Sequence, residues 1–218
     1  MNCLLCNRDV PQNLQFHDLF LLRQTQSSLC ARCRAQFEKI PNAHCPRCYK
    51  PGTSSLCNDC KRWESQGVPI QHTAVFSYTP AMHDYFSHYK FIGDFRLRGV
   101  FAPYFKQLPK GYTPVPIPVS QKRLQERGFN QVTAFLDAEK IPYTELLQKS
   151  ETLKQSSLSR TERLATKNPF FVAPNLQIPS KICLVDDIYT TGATLVHARE
   201  TLKKASPKTD IISFSLCR

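Results

Sequence analysis

The chain has 218 residues with 41% hydrophobic content, enough for one ordinary α/β domain plus a small appended module. No apolar run approaches the roughly 20 residues that span a bilayer, and the start, MNCLLCNRDV, lacks the basic region and long apolar stretch of a signal peptide, so a cytoplasmic location is expected. The formal net charge of +12 favours polyanionic partners: nucleic acid, nucleotide phosphates or an anionic membrane surface.

Cysteine punctuates the first 62 residues. Eight of the ten cysteines fall in four CxxC pairs, Cys3/Cys6, Cys30/Cys33, Cys45/Cys48 and Cys57/Cys60. A reducing compartment disfavours disulfides. Two residues between cysteines let both sulfurs reach one ion, and two pairs complete a tetrahedral four-cysteine site that suits structural zinc. Sequential pairing puts one zinc on Cys3, Cys6, Cys30 and Cys33 and a second on Cys45, Cys48, Cys57 and Cys60. Cross-braced pairing is the alternative, but sequential pairing closes shorter loops. Redox and iron–sulfur roles compete with zinc for such thiolate sets. Metal would replace the core that some 60 residues cannot supply. Residues 1–68 are therefore expected to form a zinc-binding module and residues 69–218 a second domain. Eight thiolates and two dications would lower the net charge to +8, a surplus carried by residues 71–218, with 20 Lys/Arg against 12 Asp/Glu.

Beyond the module, the pattern predicts a strand over His72–Tyr78. A helix is predicted from Pro80 to about Lys90, with Met82, Tyr85, Phe86 and Tyr89 on one face. A second helix is predicted from Phe95 to Gln107, bent at Pro103. Tyr112–Val119 is extended, and its prolines at 114, 116 and 118 limit ladder hydrogen bonds. Ser120 can cap one helix containing KRLQERGFNQVTAFLDAEK. Residues 149–168 are polar and read as a mobile loop. Lys181–Val185 is a strand, Gly192 to about Lys204 a helix, and Asp210–Leu216 a final strand. The remaining cysteines, Cys183 and Cys217, read as buried small apolar residues. Strands alternating with helices imply a mainly parallel sheet flanked by helices.

Residues 182–195 read ICLVDDIYTTGATL. An apolar strand leads to two acids where it leaves the sheet, then to a Thr/Gly loop that opens a helix. Ligands of parallel sheets sit at the carboxyl ends of strands, and such a loop offers backbone N–H groups and the positive helix end to a phosphate. Asp186 and Asp187 can accept hydrogen bonds from a vicinal diol. Thr190, Thr191, Gly192, Ala193 and Thr194 form the phosphate cradle. Upstream, Ser120, Arg123, Arg127 and Asn130 cluster at a strand-to-helix passage where arginine forks suit phosphate oxygens.

The pattern of strand, acid pair and TTGAT resembles the signature of type I phosphoribosyltransferases. The resemblance implies that Asp186 and Asp187 hold the ribose hydroxyls, that Thr190–Thr194 hold the 5′-phosphate, and that phosphoribosyl diphosphate binds with Mg²⁺. It implies a diphosphate role for Ser120, Arg123, Arg127 and Asn130. The salvage enzymes for 6-oxopurines carry an Asp where this chain has Thr190, so a base-side carboxylate is missing here. VPIP, RGFNQ, LVDDIYTTGAT, residues 89–94 (YKFIGD) and residues 153–163 (LKQSSLSRTER), behind paired CxxC motifs, together resemble the ComF family over essentially the whole chain. That family is tied to uptake of single-stranded transforming DNA across the cytoplasmic membrane. The resemblance implies a helicase-like ATPase of the ComFA type as partner, and peripheral association with the membrane uptake machinery. Lys90, Lys154, Gln155, Arg160 and Arg163 match basic or polar positions of the pattern, either closing over the diphosphate or touching DNA phosphates. Residues 90–167 hold 14 Lys/Arg against seven Asp/Glu, which makes this stretch the expected DNA face, with Tyr89 or Phe129 as candidates for stacking on bases. A catalytically active phosphoribosyltransferase acting on an unidentified acceptor is the competing reading.

Overall fold

A computed structural model describes residues 2–10, 29–150 and 168–218. Its strands are β1 (His72–Phe76), β2 (Thr113–Pro116), β3 (Leu147–Lys149), β4 (Phe170–Val172), β5 (Lys181–Ile188) and β6 (Asp210–Cys217). Four of them form a wholly parallel sheet in the order β1-β6-β5-β2, with Asp186 opposite Ser215 and Ile188 opposite Cys217 in the central ladder. The antiparallel pair β3-β4 forms a separate two-stranded sheet.

The central strand is buried from Ile182 to Asp187, because helices and loops cover both faces of the sheet. Alternation divides its side chains. Ile182 and Leu184 pack with Val115, Leu195, Val196 and Leu202. Cys183 and Val185 pack with Tyr85, Phe105, Phe135, Phe214 and Leu216. The rings of Phe105 and Phe135 stack at 4.8 Å in this second layer. The two cysteine clusters divide in the same way. Cys45, Cys48, Cys57, Cys60 and Trp63 belong to the first layer, whereas Cys3 and Cys33 meet the second through Phe37 and Val100.

Both outer strands are covered. Beside β1, the Ile40 N–H donates to the Val75 carbonyl (3.0 Å), Ser77 N–H to Glu38 (2.9 Å) and His72 N–H to Arg47 (3.0 Å). On the other side, β2 carries Pro114 and Pro116, which have no N–H to offer, and the Pro114 carbonyl accepts from Thr144 (3.0 Å).

Several expected elements differ in detail. The single helix expected after Ser120 is two, Gln121–Arg127 and Gln131–Ala138. Gly128 ends the first at φ 82°, and Asn130 caps the second, its Oδ1 accepting from Val132 N–H (2.8 Å). The stretch from Phe95 to Gln107 is three short helical pieces: Phe95–Leu97, Arg98–Phe101 and Ala102–Gln107, the last with Pro103 in its first turn. The helix Pro80–Ser87 runs into one π-helical turn, His88–Ile92, closed by Gly93 at φ 77°. Strand β5 continues through the acid pair to Ile188, because β6 extends beside it to Cys217. Lys149, placed in a loop by its polar surroundings, pairs with Phe170 in the β3-β4 ladder. Cys183 and Cys217 are fully buried, as expected. Among the described residues, no helix is long and apolar enough to cross a membrane.

Candidate ligand site and metal-ligating clusters

Asp186 and Asp187 lie near the carboxyl end of the central strand, with relative exposures of 7% and 4%. Each carboxylate accepts the next residue's N–H on its Oδ1: Asp187 N–H to Asp186 and Ile188 N–H to Asp187, both at 2.9 Å. The other oxygen of Asp187, Oδ2, forms an ion pair with Lys90 Nζ. Lys90 is presented by the π-helical turn, and its ammonium lies 4.5 Å from the centroid of the Phe86 ring. Arg127 supports this turn by donating from Nε to the Lys90 carbonyl (3.1 Å) and from its guanidinium to Gln131 Oε1.

Burial, and then the charge of Asp187, push the Asp186 carboxyl up to about 8. Burial acts in the same sense on Asp187, but the Lys90 ammonium, its hydrogen bond and the more distant Arg127 outweigh it and hold Asp187 below the usual carboxylate range. Lys149 also lies within the field of Asp186. Burial and Arg123 push its ammonium down, and Asp186 opposes them. Lys90, Arg127 and Lys149 thus bring cations from three separate parts of the chain into the field of the acid pair, and Arg123 lies in the field of Arg127 and Lys149.

The loop that follows turns sharply at Gly192, φ 85°, into the 13-residue helix Ala193–Ala205. A Cβ at Gly192 would overlap the Tyr189 hydroxyl, so this position requires glycine both for its backbone and for space. The Thr191 hydroxyl accepts from Ala193 N–H (3.4 Å), Thr190 is exposed and Thr194 is half-buried. On the inner side of the loop, Trp63 Nε1–H donates to the Thr191 carbonyl (2.9 Å). Arg218 donates to the carbonyls of Thr190 and of Tyr189, the latter at 3.4 Å.

The expected site residues separate into groups. Asp186, Asp187 and Lys90 meet directly, and Thr190–Thr194 continue from the same strand. Arg127 lies within electrostatic range of Asp187, and Arg123 within range of Arg127 and Lys149. Ser120 and Asn130 serve as helix caps, and the Asn130 amide also donates to the Ile117 carbonyl (3.1 Å). Lys154, Gln155, Arg160 and Arg163 lie outside the described residues. Lys149, Trp63 and Arg218 did not stand out in the sequence. The one available signal was that Trp63, the chain's single tryptophan, falls three residues after Cys60. A surface cleft of ≈ 510 Å³ lined by Glu38, Lys39, Lys50 and Tyr78 contains none of the expected residues.

The cysteines form two groups, Cys3/Cys6/Cys30/Cys33 and Cys45/Cys48/Cys57/Cys60, in each of which all four sulfurs lie within 4.8 Å of one another. Pairing is sequential. Sulfur separations of 3.5 Å (Cys48–Cys57) and 3.7 Å (Cys45–Cys60) are far too long for disulfides and leave room for one ion per cluster. Backbone N–H groups of Cys30 and Cys57 each point at a sulfur at 3.4 Å, a favourable arrangement for thiolates. All four cysteines of the second group are buried, whereas Cys6 of the first is exposed.

The raised Asp186 carboxyl has a consequence for stability. The folded chain holds a proton there that an unfolded carboxyl, with a pKa of about 3.9, has released, so this residue's contribution declines as pH rises from about 4 to 8. Asp186→Asn is therefore expected to flatten the pH dependence of stability across that window, and to be more stable than the parent by about 2 kcal/mol or more at pH 8. Urea unfolding at pH 5 and pH 8 measures this; parallel curves for the two proteins contradict it.

No family model matches the chain. It is 45% identical over 221 residues to the competence protein ComFC of Streptococcus pneumoniae, an alignment covering 100% of both chains. It is 34% identical over 227 residues to the competence protein ComFC of Bacillus subtilis, covering 99% of this chain and 94% of that one. With such identity along its whole length, the chain belongs to the ComFC family of competence proteins.

Proposed function

We propose that this chain is a competence factor for the uptake of single-stranded transforming DNA across the cytoplasmic membrane, and that it binds phosphoribosyl diphosphate with Mg²⁺. The observation that carries the ligand reading is the buried acid pair, with Asp187 ion-paired to Lys90, beside a glycine turn that opens a 13-residue helix. Asp186 and Asp187 would accept from the ribose diol, the N–H groups of the loop would take the 5′-phosphate, and Arg123, Arg127 and Lys149 would face the diphosphate. Mg²⁺ would neutralise the diphosphate charge and, with it, favour ionisation of Asp186.

Zinc is the ion proposed for both cysteine clusters, since four sulfurs in a closed set give the tetrahedral coordination that structural zinc takes. The DNA reading is supported by an exposed apolar strip beside Lys90. Phe91 and Ile92 are 75% and 70% exposed, and Phe95 is 42% exposed with the Arg98 guanidinium 3.7 Å from its ring centroid. Aromatic faces interleaved with arginine suit stacking on bases. Of the aromatics named from sequence, Tyr89 is fully buried and donates to the Gln131 carbonyl, and Phe129 packs between Tyr89 and Phe95. Phe91 and Phe95 take over the stacking role. Proposed partners are a ComFA-type helicase-like ATPase and the membrane uptake machinery, approached from the cytoplasmic side.

Metal analysis is expected to find two zinc ions per chain, and one in Cys45→Ser; an iron–sulfur chromophore in place of zinc contradicts this assignment. Calorimetry is expected to show phosphoribosyl diphosphate binding with Mg²⁺ that falls at least tenfold in the double variant Asp186→Asn/Asp187→Asn, since hydrogen bonds to charged acceptors contribute about 1.5–3 kcal/mol each. Equal binding by that variant removes the ligand reading. Release of pyrophosphate when an acceptor is added would instead favour an active transferase. Phe91→Ala is expected to weaken single-stranded DNA binding by about 1–3 kcal/mol, and affinity to fall steeply with salt as counterions are released. A flat salt titration, or a deletion strain that transforms normally, rejects the DNA role.

A further inference from the structure

The second cysteine cluster touches the loop that follows the acid pair through two side chains. Trp63 follows Cys60 on the helix Asn58–Ser65, is 5% exposed, and gives its indole N–H to the Thr191 carbonyl at 2.9 Å. Arg218 follows β6, and its side chain is 8% exposed. One end of its guanidinium reaches Cys48 Sγ at 3.4 Å and Asp59 Oδ2 at 3.5 Å. The other end donates to the carbonyls of Thr190 and Tyr189, while the group lies 4.6 Å from the Tyr189 ring centroid. The carbonyls of three consecutive residues, 189 to 191, are therefore held from one side.

A trans peptide directs its C=O and N–H to opposite sides, and the chain has no cis peptide bond among the described residues. Fixing the carbonyls of Tyr189, Thr190 and Thr191 therefore turns the N–H groups of Thr190, Thr191 and Gly192 the other way. No described residue accepts from those three N–H groups. Four thiolates around a divalent ion would carry roughly two negative charges and would hold the buried guanidinium in place from the cluster side. We propose that the second cysteine cluster, acting through Arg218 and Trp63, aims the anion-binding amides of the 190–192 loop, so that phosphate affinity depends on this cluster and not on the first. Arg218 and Trp63 are positioning residues, and the proposal rests on the ligand reading above only for the identity of the anion.

The test uses the full chain with its metal. Arg218→Gln keeps a hydrogen-bonding side chain but removes the fork and the charge; Trp63→Phe keeps most of the apolar bulk and removes the indole donor. Each is measured for metal content, melting temperature, binding of phosphoribosyl diphosphate with Mg²⁺, and NMR order parameters of the backbone amides of residues 190–192 without ligand. Affinity is expected to fall at least tenfold in both, with metal content unchanged and the loop order parameters dropping from about 0.85 to below about 0.6. Cys57→Ser is expected to loosen the loop in the same way, whereas Cys6→Ser, in the first cluster, leaves the loop order parameters at their parental values. Parental loop order in both Arg218→Gln and Trp63→Phe overturns the proposal, as does parental ligand affinity in both. If the parent fails to bind the ligand while both variants still loosen the loop, the ligand reading falls and the positioning role stands. Should Arg218→Gln fail to fold, Trp63→Phe alone decides.

Discussion

Two adjacent carboxylates buried at the carboxyl end of the central strand impose the constraint around which the rest of this site is arranged. Neither Asp186 nor Asp187 can be charged in that position without help, and both together demand more than one cation. Lys90 supplies the direct contact, but a lysine on a regular helix continuing from Ser87 would be displaced relative to the one present. The π-helical turn adds the extra residue per hydrogen bond that brings the ammonium onto Asp187. Arg127 then holds that turn through the Lys90 carbonyl, which explains why a half-buried arginine lies here without touching either acid. The site is a chain of dependencies running from a central strand, through one ion pair, to a π-helical turn and its support.

The two cysteine clusters share a motif and differ in surroundings. The first is partly open, with Cys6 exposed and only Cys3 and Cys33 buried, and it meets the domain through Phe37 and Val100. The second is buried in the apolar layer that also contains Val115, Leu184 and Leu195. Cutting the chain after residue 68 would leave the first layer without four cysteines and a tryptophan. Spacing alone does not distinguish a cluster that folds its own segment from one that also completes a neighbouring core.

What was legible in the sequence was what is contiguous. Residues 182 to 195 contain strand, acids, turn and helix in order, and each local signal agrees with the next. The sequential pairing of cysteines followed from loop length. The helix break at Gly128 was present as a glycine followed two residues later by a capping Asn130, but the helix-favouring residues on either side, QKRLQER before and QVTAFLDA after, masked it. Lys149 sat beside a long polar stretch and paired only because Phe170 lies across from it. Arg218 and Trp63 were beyond reach for a different reason: their partners in the loop are 28 and 128 residues away, and neither has a motif. A single tryptophan near a metal-binding motif is equally at home as a core residue.

The covering of the outer strands limits how this protein can meet another. Segment 38–40 lies along β1, and two prolines with a committed carbonyl occupy β2. A partner chain offering an extended peptide finds no open row of backbone donors and acceptors along the outer strands of the four-stranded sheet, so its lengthening by β-augmentation is closed at both ends. Recognition at these two edges has to proceed through side chains. The same closure protects the folded chain from edge-to-edge association wherever many copies are crowded together.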